Sequence, residues 1–109
     1  MKCVECLRTV ERWRGGNGPL IDEHVGRHLL HTARRELNSR KKFYEGYGLD
    51  LEDVIGEGVA YALSSPNRFD PAGGGQLVAY LMEAVKLGAW TFARRQIRRS
   101  RIVAWEQLD

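Results

Sequence analysis

An all-α fold, a small bundle of three main helices behind a short N-terminal lead-in, is predicted by three observations. Apolar residues recur at three- and four-residue steps over three long stretches, no stretch alternates as a strand would, and clusters of Gly, Pro and Ser separate the stretches. The 109 residues bound the answer to one compact unit. With 43% hydrophobic and 28% charged residues the chain is too apolar for full disorder, and it holds no run long enough to span a membrane.

The lead-in, residues 1–19, runs from Cys3 to Trp13 and ends in Gly15-Gly16-Asn17-Gly18-Pro19, expected to be a flexible joint. The first main helix is expected from Leu20 to about Ser39, because Ile21, Val25, Leu29, Ala33 and Leu37 recur at steps of four. Arg40 to Gly48 is basic and aromatic with two glycines, and reads as a loop or a frayed helix end. Asp50 is a natural N-cap for the second helix, with Glu52 and Asp53 in the first turn where the helix dipole favours negative charge. That helix runs to about Leu63 with a stripe of Val54, Ile55, Val59, Ala60 and Leu63, and Ser64-Ser65-Pro66 stops it. Asn67 to Gly75 is a loop of turn formers. The third helix follows from Gln76 to about Ser100, carried by Leu77, Tyr80, Leu81, Ala84, Val85, Gly88 and Phe92. Residues 102–109 are expected to form a tail anchored by Trp105.

Charge is distributed unevenly. The net charge is +3, yet Lys86, Arg94, Arg95, Arg98, Arg99 and Arg101 place six cations and no acid on one stretch. The remainder is therefore net acidic. A molecule with a basic end suits a polyanionic partner. Trp90 and Phe92 precede the arginines; rings beside cations can stack bases, although Phe92 reads better as core.

Two cysteines cannot build a disulfide framework, and the C-x-x-C of Cys3 and Cys6 leaves metal binding or redox chemistry. His24 and His28 are one helical turn apart, with His31 beside them, on a face roughly 150° from the apolar stripe of the first helix. Cys3, Cys6, His24 and His28 can satisfy tetrahedral zinc, which would pin the lead-in to the first helix. A mobile dithiol beside three solvated histidines, and a redox-sensing Cys3–Cys6 pair, are the alternatives.

The stretch Leu51-Glu52-Asp53-Val54-Ile55-Gly56-Glu57-Gly58 resembles the acidic segment of bacterial sigma factors, L-x-D-L-I-Q-E-G. Leu20-Ile21-Asp22-Glu23-His24-Val25 through Leu30 and Ala33 looks like the preceding sigma helix, Arg68-Phe69-Asp70-Pro71 like the family's F-D-P turn, and the helix with Tyr80 and Arg94-Arg95-Gln96-Ile97-Arg98-Arg99 like its promoter helix. Together they cover residues 20–101 and resemble sigma region 2. The resemblance implies that Glu52, Asp53 and Glu57 dock on the clamp coiled coil of core RNA polymerase. It also implies that Lys86, Trp90, Arg94, Arg95, Arg98, Arg99 and Arg101 contact promoter DNA.

There are departures. Gly56 stands where the family has glutamine, and Glu83 and Ala84 stand where housekeeping sigma factors carry the tryptophan pair that holds the bubble open. Extracytoplasmic-function sigma factors lack that pair as well. The later DNA-binding modules of the family do not follow residue 101, so an excised domain or a region-2-only protein, as phages and mobile elements use, is expected, with upstream contacts left to a co-activator. Met1-Lys2-Cys3-Val4-Glu5-Cys6 has no apolar core, which excludes a secretory signal and leads to an expected cytoplasmic location.

The resulting expectation is a sigma-like transcription factor without catalysis. No Gly-rich phosphate loop or nucleophile–base pair stands out, and a carboxylate-pair active site at Asp53 and Glu57 is the weaker reading of those acids. The rivals are a sigma-mimicking inhibitor or anti-sigma-type adaptor that never melts DNA, and a plain zinc-stabilised helical DNA-binding protein.

Overall fold

The computed structural model describes residues 3–64, 69 and 76–107, the side chains of 102–107 excepted. Five α-helices and one 3-10 turn (Asn38–Arg40) make up the described residues, with no strand among them: α1 Val4–Arg14, α2 Glu23–Leu37, α3 Lys41–Gly46, α4 Leu51–Leu63 and α5 Leu77–Gln107. The all-α expectation therefore holds, with two more helices than the three main ones.

The lead-in contains one of them. Cys3 caps α1 in extended conformation, Glu5 lies in its first turn and Arg12 and Arg14 in its last, matching the helix dipole. The glycine-rich stretch after it is a hydrogen-bonded helix end. Gly15, Gly16 and Asn17 donate to the carbonyls of Glu11, Trp13 and Arg12, and Gly16 takes the left-handed conformation at φ +74°.

α2 starts at Glu23, three residues later than the apolar pattern alone suggests, because Asp22 accepts from the Val25 amide at 2.9 Å and so caps the helix. Val25, Leu29, Ala33 and Leu37 are buried as expected. Between Arg40 and Gly48, α3 buries Tyr44 and leaves Phe43 and Tyr47 exposed; Gly48, at φ +77°, turns the chain toward α4.

Asp50 caps α4 through the Glu52 amide at 2.9 Å. The buried face of α4 is Val54, Ile55, Gly58 and Ala62, whereas Ala60 and Leu63, expected in the stripe, are exposed. Gly58 is the reason. A Cβ there would lie 2.7 Å from the Val85 carbonyl oxygen, and one at Gly88 would lie 2.5 Å from Tyr61 Cβ and 3.2 Å from Gly58 Cα. The two glycines let α4 and α5 touch backbone to backbone, so the face of α4 turned to α5 includes Gly58.

α5 continues through Ser100 to Gln107, so residues 102–107 are helix where a tail was expected; nothing from Ile102 to Gln107 is a helix breaker. At 31 residues it is ~46 Å long by the helical rise, and it sets the long axis of a molecule measuring 61 × 23 × 23 Å. Among its described side chains the last fully buried one is Ala93, with Gln96 and Ile97 half-buried beyond it. The following arginines therefore stand on a part of α5 that the other helices do not bury. Trp105 and the Arg68 and Asp70-Pro71 parts of the F-D-P turn lie outside the described side chains. Phe69 is buried between Trp13 and Tyr80, with ring centroids at 6.4 and 5.4 Å.

Candidate metal centre and charged faces

Two helix starts build the candidate metal centre. Cys3 and Cys6 occupy the N-cap and first turn of α1, while His24 and His28, at i and i+4 in the first turns of α2, project side by side. Asp22 brings the two helices together: it caps α2 and accepts from the Thr9 hydroxyl and the Arg12 guanidinium of α1. In consequence Cys3 Sγ lies 3.3 Å from His24 Nε2, Cys6 Sγ lies 3.3 Å from His28 Nδ1, and all four donor atoms fall within 4.8 Å of one another.

These donors fit zinc. A tetrahedral Zn²⁺ with bonds of about 2.0–2.3 Å spaces its sulfur and nitrogen ligands about 3.3–3.8 Å apart. The observed spacings therefore need shifts of at most about an ångström. Cys6 is buried, Cys3, His24 and His28 are half-buried, and His31 is exposed outside the group.

The protonation states follow from the surroundings. The Cys6 backbone N–H and the His24 ring draw the Cys3 thiol down to about 7. Burial, then the neighbouring Cys3, pushes the Cys6 thiol up to about 12. Burial, then the neighbouring His24, His31 and Arg35, holds His28 below its ordinary value, which favours the neutral imidazole a metal requires. At Asp22 burial raises the carboxyl, but the bonds from Thr9 and Val25 with the charges of Arg12 and His24 outweigh it and leave the group below the usual carboxylate range.

The acidic face is where the sequence places it. Glu52, Asp53 and Glu57 are all exposed on α4. Glu52 meets Arg34 of α2 at 3.4 Å in an exposed pair, while Asp53 and Glu57 have no ion-pair partner among the described residues.

The basic residues divide into two groups. Lys86 lies 3.5 Å from Glu36 and 3.9 Å from Glu83, so this cation is already compensated. Arg94, Arg95, Arg98, Arg99 and Arg101 are exposed with no ion pair among the described residues. At about 100° per residue, Lys86, Trp90, Arg94, Arg98 and Arg101 form one stripe on α5, and Arg95 and Arg99 lie about 140–180° round from Trp90. Trp90 is 44% exposed, and Phe92 packs against the core as its spacing suggests.

Sequence reasoning missed Thr9, Trp13 and Asp22, the residues that seat α1. A usable signal was present: Cys6, Thr9, Val10 and Trp13 recur at helical steps, and Asp22 precedes Glu23 and Val25 as a capping residue would.

Comparison with family models, with curated proteins and with solved structures found no match for this chain.

Proposed function

We propose that this chain is a sigma-like transcription factor that holds core RNA polymerase through the acidic face of α4 and promoter DNA through the basic end of α5. One observation carries the reading: the carboxylates of Asp53 and Glu57 and the five arginines from Arg94 to Arg101 are exposed and find no counter-charge among the described residues. Uncompensated charge of opposite sign at two separate places suits two charged partners.

The division of labour follows from the chemistry. Asp53 and Glu57, one turn apart on the outer side of α4, present two carboxylates to basic groups of a partner helix. The arginines release counterions when they neutralise phosphates, so DNA affinity falls steeply with salt. Arg94, Arg98 and Arg101 on one side of α5 and Arg95 and Arg99 on the other reach phosphates on both flanks of a helix laid against duplex. Lys86, held by Glu36 and Glu83, contributes less. No catalytic step belongs to this reading.

The metal centre takes zinc in the same proposal, as a structural ion bound by Cys3, Cys6, His24 and His28. Zinc would add a second fixed point between α1 and α2, at the start of α1, to the one that Thr9, Arg12 and Asp22 supply further along it.

The test is retention of the chain on immobilised core RNA polymerase. The wild type is expected to bind, and Asp53→Ala with Glu57→Ala to lose at least tenfold in affinity. Equal retention of both refutes the polymerase contact. Polymerase binding without salt-dependent DNA binding leaves the inhibitor or adaptor, to which Glu83 in place of an aromatic wedge also points. DNA binding without polymerase leaves the zinc-stabilised DNA-binding protein.

A further inference from the structure

We infer that Cys3 and Cys6 form a reversible disulfide site that competes with the metal, so that thiol oxidation releases the ion and frees the first half of α1. The inference rests on the metal reading above and adds its regulation. It starts from where the four ligands sit. The metal would join α1 to α2, because two donors come from each helix. A disulfide between Cys3 and Cys6 would join the first turn of α1 only to itself. Oxidation therefore exchanges a link between helices for one within a helix.

The geometry favours the exchange. Both thiols are free and their Sγ atoms lie within 4.8 Å of each other. Cys3 is at the N-cap in extended backbone, not inside the helical turn, so a small rotation closes the remaining distance without unwinding α1. Cys3 is half-exposed and open to a small oxidant, whereas Cys6 is buried behind it and placed to resolve the intermediate.

With a low-molecular-weight disulfide as oxidant, the step balances. The Cys3 sulfur attacks one sulfur of the oxidant, forming a mixed disulfide and expelling one thiolate. The Cys6 sulfur then attacks Cys3 Sγ, forming the Cys3–Cys6 bond and expelling the second thiolate. Two electrons pass from the protein to the oxidant, which leaves as two thiolates that take their protons from solvent. The ion keeps only His24 and His28 as ligands and dissociates.

What comes loose is set by the rest of α1. Its first half exposes Val4 (59%) and Leu7 (44%) and buries only Cys6. Its second half stays tied by Thr9 and Arg12 to Asp22 and by Trp13 against Phe69. Eleven residues are too few for a stable isolated helix, so the first half frays once its anchor is lost, and the ledge of Val10, His28, Gln76 and Val78 beneath it opens.

The experiment uses the full chain, reduced and loaded with Zn²⁺ alone, then treated with oxidised glutathione. Free zinc is read with a chromophoric indicator, free thiols by titration, and backbone opening by hydrogen exchange with mass spectrometry. The expected result is one equivalent of zinc released as two thiols disappear, exchange at least tenfold faster over residues 4–8, little change over residues 11–14, and full reversal by reductant with zinc. Cys3→Ser is expected to form no internal disulfide. If the reduced chain takes up no zinc, the metal reading itself fails and this inference falls with it. If it binds zinc but glutathione forms no internal disulfide, or the disulfide forms while zinc stays bound or α1 stays protected, the inference alone is overturned.

Discussion

Gly56 and Gly58 are two residues apart on α4, yet alanine at these positions is expected to act in opposite directions. Both substitutions gain helix propensity, about 1 kcal/mol each. At Gly56 the new methyl meets nothing within 4 Å, so the gain stands. At Gly58 it would lie 2.7 Å from the Val85 carbonyl oxygen and 3.3 Å from Ala89 Cβ. A carbonyl inside a helix cannot swing aside, so α4 and α5 must separate, at the upper end of the about 1–3 kcal/mol seen for overpacking. The propensity gain cancels in the comparison, and the gap between the variants, about 2–3 kcal/mol, reports the helix contact alone. Urea unfolding of the zinc-loaded protein, followed by circular dichroism, measures it. Gly56→Ala should raise the midpoint and Gly58→Ala lower it with an unchanged slope. Equal stabilisation by both would refute the backbone contact at Gly58 and Gly88.

Other outcomes follow from the same geometry. Asp22→Ala should cost about 1–2 kcal/mol through the lost cap and should also loosen α1, visible as faster exchange at Thr9 and Val10. Because the native Asp22 carboxyl is held below its unfolded value, its contribution is complete above the unfolded pKa and disappears as pH falls through the lower native one. The acid limb of the stability profile should therefore flatten in Asp22→Asn. Zinc binding should release protons near neutral pH and weaken as pH falls, because the Cys6 thiol, pushed up to about 12, must lose its proton to ligate; calorimetry in buffers of different ionisation enthalpy counts the protons. Replacing Arg94 and Arg98 by alanine should reduce the slope of log affinity against log salt by about 2, whereas Lys86→Ala should change it by less than one such step.

How much of this was legible in the sequence depended on the range of the interaction. The α2 core of Val25, Leu29, Ala33 and Leu37 and the Asp50 cap were readable because each rests on neighbours within one or two turns. α1 was not read as a helix although Cys6, Thr9, Val10 and Trp13 recur at helical steps, because that stripe is short and the partners that seat it, Asp22 and Phe69, are distant in the chain. The α4 stripe was read correctly at Val54 and Ile55 and in part at Val59, but Ala60 and Leu63 were placed in it instead of Gly58 and Ala62, because a hydrophobic pattern gives no weight to glycine. The four residues that could hold a metal ion were legible as two spaced pairs. The turn from Gly15 to Asp22 that folds one pair onto the other was not. Lys86 looked like the first of a row of free cations until α2 brought Glu36 beside it.

The contact at Gly58 and Gly88 also helps set the line along which α5 leaves the bundle. Beyond Ala93, its last buried position among the described side chains, the helix runs on to Gln107, ~21 Å by its rise per residue, so a tilt of about 10° moves the tip by about 4 Å. In the proposed DNA contact, the register of Arg94 through Arg101 on a duplex would depend on where the backbones of α4 and α5 touch, and one methyl group added there would be felt at the far end of the rod.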